Sequence, residues 1–126
     1  MSKRLLIVVD DEPVTSRTLA LDLKDAGYRV EVAADRTDAV RMLRHETFDL
    51  LIAPERRGEA RGLVEELRRV QPGAKVVLMT TDAEQNGRGD VNDAVERVKK
   101  PFDLEEFRAV VDRVLRAKSE TSGSAK

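Results

Sequence analysis

At 126 residues the chain fits one domain of ordinary size, long enough to bury a single core. Its 40% apolar and 37% charged residues describe a globular protein, and 23 bases against 24 acids exclude a strong global field for nucleic acid. With no cysteine, disulfide scaffolds, cysteine-ligated zinc and thiol catalysis drop out together. No apolar run approaches the ~20 residues that span a bilayer, and Met1-Ser2-Lys3-Arg4 leads into "LLIVV" without a cleavage-site pattern, so the expectation is a cytoplasmic protein with no membrane partner.

"LLIVV" (Leu5–Val9) predicts a first strand, with Asp10 and Asp11 directly behind it and Pro13 suited to a first helical turn. Leu19, Leu23 and Ala26 recur at spacings of four and three, which places them on one helical face, and Gly27 suits the left-handed position after a helix end. "YRVEVA" (Tyr28–Ala33) predicts a second strand, and Ala39, Val40 and Leu43 a shorter second helix with His45 at its polar end. "DLLIA" (Asp49–Ala53) predicts a third strand, which delivers Pro54 and Glu55 and then the bases Arg56, Arg57 and Arg61. Leu63, Leu67 and Val70 mark a third helix, and "VVLM" (Val76–Met79) a fourth strand with Thr80 behind it. Between Met79 and Val95 there are few apolar residues and two glycines, each costing ~1 kcal/mol relative to alanine in a helix, so a fourth helix there is predicted to be short or mobile. "VERV" (Val95–Val98) predicts a weaker fifth strand, followed by Lys100 and Pro101, and Leu104, Phe107, Val111 and Val114 line one face of a last helix. The domain is therefore expected over residues 1–117, with "KSETSGSAK" at 118–126 a flexible tail or linker stub.

Strands alternating with helices imply crossover units, hence an α/β fold: a doubly wound five-stranded parallel sheet with helices on both faces and any ligand at the carboxyl ends of the strands. Three stations stand at such ends. Asp10 and Asp11 repel each other unless a cation neutralises them, which suits magnesium; the alternative is a solvated acidic turn capping the first helix. Thr80 adds a hydroxyl and Lys100 an ammonium group. There is no glycine-rich phosphate loop of the Walker or dinucleotide type.

In order and spacing, "VVDDEP", "MTTD" and "VKKPF" make nearly all of Lys3–Ala117 resemble the receiver domain of two-component response regulators. The resemblance implies a flavodoxin-like sheet in which Asp10 and Asp11 match the magnesium-binding acids, and Thr80 and Lys100 the groups that contact a phosphoryl group. It also implies a cis peptide at Lys100–Pro101. The aspartate that accepts phosphate in the family falls, on this register, at Pro54, with Gly62 matching the glycine that follows the loop. Proline offers no nucleophile, so aspartyl-phosphate chemistry is excluded at that position, and any magnesium at Asp10 and Asp11 is expected to be weakly held. The inward-swinging aromatic of the fifth strand is replaced by Arg97, which is costly to bury without a partner, and Thr81 stands where a smaller residue leaves the site open.

These departures point to a phosphorylation-independent pseudo-receiver that acts by binding a protein and is not an enzyme. Its first candidate surface is the family's output face, formed by the fourth helix, fifth strand and fifth helix, and an output domain beyond Lys126 is a further expectation. Direct nucleic-acid binding is not expected. Two alternatives stay open: phosphorylation on a substitute acid, Glu55, against which strand alternation argues, and a ligand-binding module that uses the vacated pocket. His45 reads as a surface residue, and Arg56, Arg57 and Arg61 either as a solvated loop or as cations that, with Lys100, neutralise Asp10 and Asp11 permanently.

Overall fold

The computed structural model describes residues 3–8, 13–55, 59–80, 96–100 and 102–123. Five strands form one parallel sheet in the order β2-β1-β3-β4-β5: β1 (Arg4–Val8), β2 (Arg29–Ala33), β3 (Leu50–Pro54), β4 (Lys75–Thr80) and β5 (Glu96–Lys99). The helices are α1 (Pro13–Asp25), α2 (Arg36–His45), α3 (Glu59–Val70) and a C-terminal helix (Leu104–Gly123). The predicted fourth helix falls on 81–95, outside the described residues.

β1, β3 and β4 are continuous apolar runs because both faces of the sheet are covered, as parallel strands require. Leu6, Val8, Leu51, Ala53, Val76 and Leu78 face α2 and α3, where they meet Ala39, Leu43, Leu63, Val64 and Leu67. Leu5, Ile7, Leu50, Ile52, Val77, Met79 and Val98 face α1 and the C-terminal helix and pack on Leu19, Leu23, Phe107 and Val111. The sequence order reverses direction in space between β1 and β3, so the carboxyl ends of these two strands border the crevice where doubly wound folds bind ligands.

Local chemistry sets the helix ends. After α1, Tyr28 N–H bonds to Leu23 O at 3.1 Å and Gly27 N–H to Lys24 O at 3.0 Å, the paired bonds of a Schellman motif. Gly27 takes φ 104°, a conformation that a Cβ would penalise, as the sequence predicts. Asp35 caps α2 by accepting the Asp38 N–H at 2.8 Å, and Asp103 caps the C-terminal helix by accepting the Glu106 N–H at 2.7 Å. That helix continues through Gly123, six residues past the predicted end at Ala117. Extension adds one hydrogen bond for each residue fixed once a helix is nucleated, and the polar residues beyond Ala117 carry only modest propensity penalties, so polarity alone does not stop it.

Tyr28 closes the α1 side of the sheet by donating its phenolic O–H to Asp112 on the C-terminal helix. Burial first, and then the hydrogen bond to Asp112 and its charge, push the phenol from 10.0 up to about 12. A raised folded-state value favours the protonated phenol in the native protein. Its contribution to stability is therefore full below pH 10.0 and is lost as pH rises through about 12. The chain has one tyrosine and no tryptophan, so phenolate absorbance reports this group alone: the native protein should titrate near 12, and Asp112→Ala should move the midpoint down.

Candidate functional site

The carboxyl ends of β3, β4 and β5 meet at one corner of the sheet. Pro54 pairs in register with Met79 and Thr80 with Lys99. Past those pairs, Glu55 N–H donates to Met79 O at 2.8 Å and Lys100 N–H to Thr80 O at 2.7 Å. Pro54, Thr80 and Lys100 thus stand at the ends of three neighbouring strands. Thr80 is the last residue of β4 and is fully buried.

Pro54 is half-buried and is the last residue of β3. Neighbouring backbone N–H groups along a strand point to opposite edges; since that of Glu55 goes to β4, the nitrogen of Pro54 is turned toward β1. Among the described residues the β1–β3 pairs run to Ile7↔Ile52, and a proline, which has no N–H to donate, is best tolerated at a strand's end.

Side chains alternate faces along a strand. Pro54 shares the face of Ile52, toward α1 and the C-terminal helix; Glu55 shares the face of Ala53, toward α2 and α3. Arg97 is in register with Leu78 and so lies on the same face as Glu55. The two meet: Arg97 Nε donates to Glu55 Oε1 at 2.8 Å and Nη2 to Oε2 at 2.9 Å. This two-point pair spans β4 and joins strands that are not neighbours. The Glu55 side chain is 5% exposed and that of Arg97 20%. Hydrogen bonding to the carboxylate, the main effect, raises the guanidinium above its ordinary value, so Arg97 remains a cation.

This pairing answers the burial cost of Arg97 with a partner that the sequence does not reveal, where Glu55 reads as a substitute phosphoacceptor or as a permanent negative charge in place of phosphate. In the structure Glu55 is turned to the opposite face from Pro54, and both its oxygens are engaged by Arg97. The signal available was a lone acid and a lone base, each at a position that should be buried, on strands two apart.

β5 carries a second pair on its other face. Arg113 of the C-terminal helix donates through Nη1 and Nη2 to Glu96 at 3.3 and 2.9 Å. Elsewhere, Arg61 lies on α3 and bonds to Glu65 at 3.3 Å, and His45 is exposed with its Nδ1 2.8 Å from the Arg41 carbonyl. Asp10, Asp11, Arg56, Arg57, Thr81 and Pro101, with the expected cis peptide, lie outside the described residues. Among the described residues no group of three or more Asp, Glu or His side chains is placed to hold a metal ion, and no helix is long and apolar enough to cross a membrane.

Comparison with known proteins follows the same lines. The sequence matches the response regulator receiver domain family over residues 6–112. The chain is 32% identical over 120 residues to the transcriptional regulatory protein GlrR of Escherichia coli K12, covering 87% of this chain and 26% of that protein. It is 31% identical over 105 residues to the probable transcriptional regulatory protein TcrX of Mycobacterium tuberculosis, covering 80% and 45%. The chain therefore spans from about a quarter to under half of the length of these relatives. In fold it is similar to a response regulator receiver protein from Sinorhizobium medicae, with a TM-score of 0.82 at 20% identity over 93% of this chain and 97% of that one. It is also similar to NtrX from Brucella abortus, with a TM-score of 0.85 at 20% identity over 99% of this chain and 30% of that one. Sheet order, the corner at the strand ends and sequence similarity over most of its length agree: this chain belongs to the response regulator receiver domain family.

Proposed function

We propose that this chain is a receiver that signals without being phosphorylated, through protein contacts rather than through an aspartyl phosphate. One observation carries the proposal: β3 ends in proline, and the adjacent acid, Glu55, is bound on both oxygens by Arg97 and faces the other side of the sheet. A carboxylate engaged by a guanidinium is a weak nucleophile, and Pro54 contributes no side-chain oxygen to a magnesium site. Asp10 and Asp11 would then hold at most a hydrated ion, and no step of the proposed function requires one.

The partner surface we propose is the one carried by β5 and the C-terminal helix. The relatives GlrR and TcrX carry the names of transcriptional regulatory proteins and are longer than this chain. An output domain joined to a receiver of this kind is therefore part of the proposal.

Incubating the full chain with magnesium and a small-molecule phosphodonor, and weighing the intact protein at neutral pH, tests the reading. The wild type is expected to keep its unmodified mass. A phosphoryl adduct on most molecules would overturn the proposal; release by hydroxylamine would assign it to a carboxylate, and peptide mapping would then show which residue had been modified.

A further inference from the structure

We infer that Glu55 and Arg97 form a permanent lock which holds β5 in one position against β3, so that the surface carried by β5 is presented in a single state. This rests on the reading above, in that a chain without a phosphoryl signal has no use for a second position of β5.

The geometry carries the inference in three steps. The pair is two-pronged and largely withdrawn from water, with distances of 2.8 and 2.9 Å in the range of strong charge-assisted bonds. It passes over β4 on the face of Leu78 and Thr80, the region a side chain on β5 would have to cross to move inward. Finally, among the described strands β5 pairs with β4 alone, at the sheet edge, so the tie to Glu55 adds a hold from the end of β3 that the β4 ladder does not give.

The neighbouring residue completes the arrangement. Glu96 points to the opposite face and takes Arg113 from the C-terminal helix. Consecutive residues of β5 thereby tie it to β3 on one side and to the C-terminal helix on the other. The Glu96–Arg113 pair is the more exposed of the two, so water and salt weaken it more. The lock is therefore assigned to Glu55 and Arg97, with Glu96 and Arg113 passing the position of β5 to the helix.

The test needs no phosphoryl analogue, so its failure is distinct from that of the proposed function. Amide relaxation dispersion and hydrogen exchange are measured on the ligand-free full chain, as wild type, Glu55→Gln and Arg97→Lys. Arg97→Lys keeps the charge and loses the fork, and reads the lock even if Glu55→Gln fails to fold. The wild type is expected to show flat dispersion at Arg97, Val98 and Lys99. The variants should show millisecond exchange at those amides and at Thr80, with hydrogen exchange at Val98 faster by about tenfold or more, the scale set by losing one charge-assisted bond. Leu5–Val8 on β1 should not change. Dispersion at β5 in the wild type, flat profiles in Arg97→Lys, or an equal loss of protection on β1 and β5 would each overturn the inference; the last would reduce the pair to a contributor to overall stability.

Discussion

Glu55→Ala is expected to lower the unfolding free energy by roughly 3 kcal/mol, the scale for removing one partner of a buried ion pair. The substitution deletes both bonds to Arg97 and leaves a guanidinium four-fifths covered with no carboxylate opposite it among the described residues. Arg97 is 20% exposed and can turn its head partly into water, which places the value at the low end of the range for fully buried pairs. For a domain of this size the melting temperature should fall by on the order of 10 °C. The double variant Glu55→Leu with Arg97→Met separates charge from packing. Exchanging a buried pair for apolar groups of similar volume is often neutral, so the double variant is expected to recover most of the loss. Thermal melts of the three proteins check this; a single variant as stable as wild type would mean that the pair is solvated.

Phe107→Ala should cost more, about 4 kcal/mol, as truncating a buried aromatic ring does. Phe107 is fully buried and first in volume among the fully buried side chains of the described residues, and it belongs to the cluster that seats the C-terminal helix on Met79 and Val98. Its ring stacks on Phe102 at 5.0 Å between centroids and 26° between planes, a contact that adds to the area term. Domains of this kind hold about 5–15 kcal/mol in total, so the variant should sit close to its unfolding threshold at 37 °C. Phe107→Leu keeps most of the apolar volume and should retain at least half of the lost stability. Urea unfolding followed by circular dichroism gives the midpoints, and equal midpoints for the two variants would contradict the packing argument.

The effects of these two changes differ in how visible their causes are along the chain. Phe107 announces its burial through spacing, since Leu104, Phe107, Val111 and Val114 fall on one helical face whatever the tertiary structure. The strands were equally legible, because "LLIVV" and "DLLIA" are apolar on both faces, as buried parallel strands must be. Their ends were less so. β4 begins at Lys75 and includes Thr80 because ladder bonds belong to the backbone and ignore side-chain polarity.

The Glu55–Arg97 pair was not legible. It joins residues 42 apart in sequence and requires knowing that β3, β4 and β5 lie side by side, that positions 55 and 97 share a face, and that an arginine can reach across one strand. The corner formed by Pro54, Thr80 and Lys100 needed only the rule that sites gather at carboxyl ends, and the family spacing supplied the rest. The helical course of residues 118–123 was missed for a different reason: polar composition argues against a packed core, but it does not prevent a nucleated helix from running on.

We propose that Pro54 stands at the position where the family accepts phosphate and that its lack of a side-chain oxygen removes the response. Titrating the wild type and Pro54→Asp with magnesium and beryllium fluoride, followed through the amide resonances of Thr80 and Lys100, tests it most directly. Wild-type resonances are predicted to stay in place while those of Pro54→Asp shift to saturation; saturable shifts at Thr80 and Lys100 in the wild type would contradict the account.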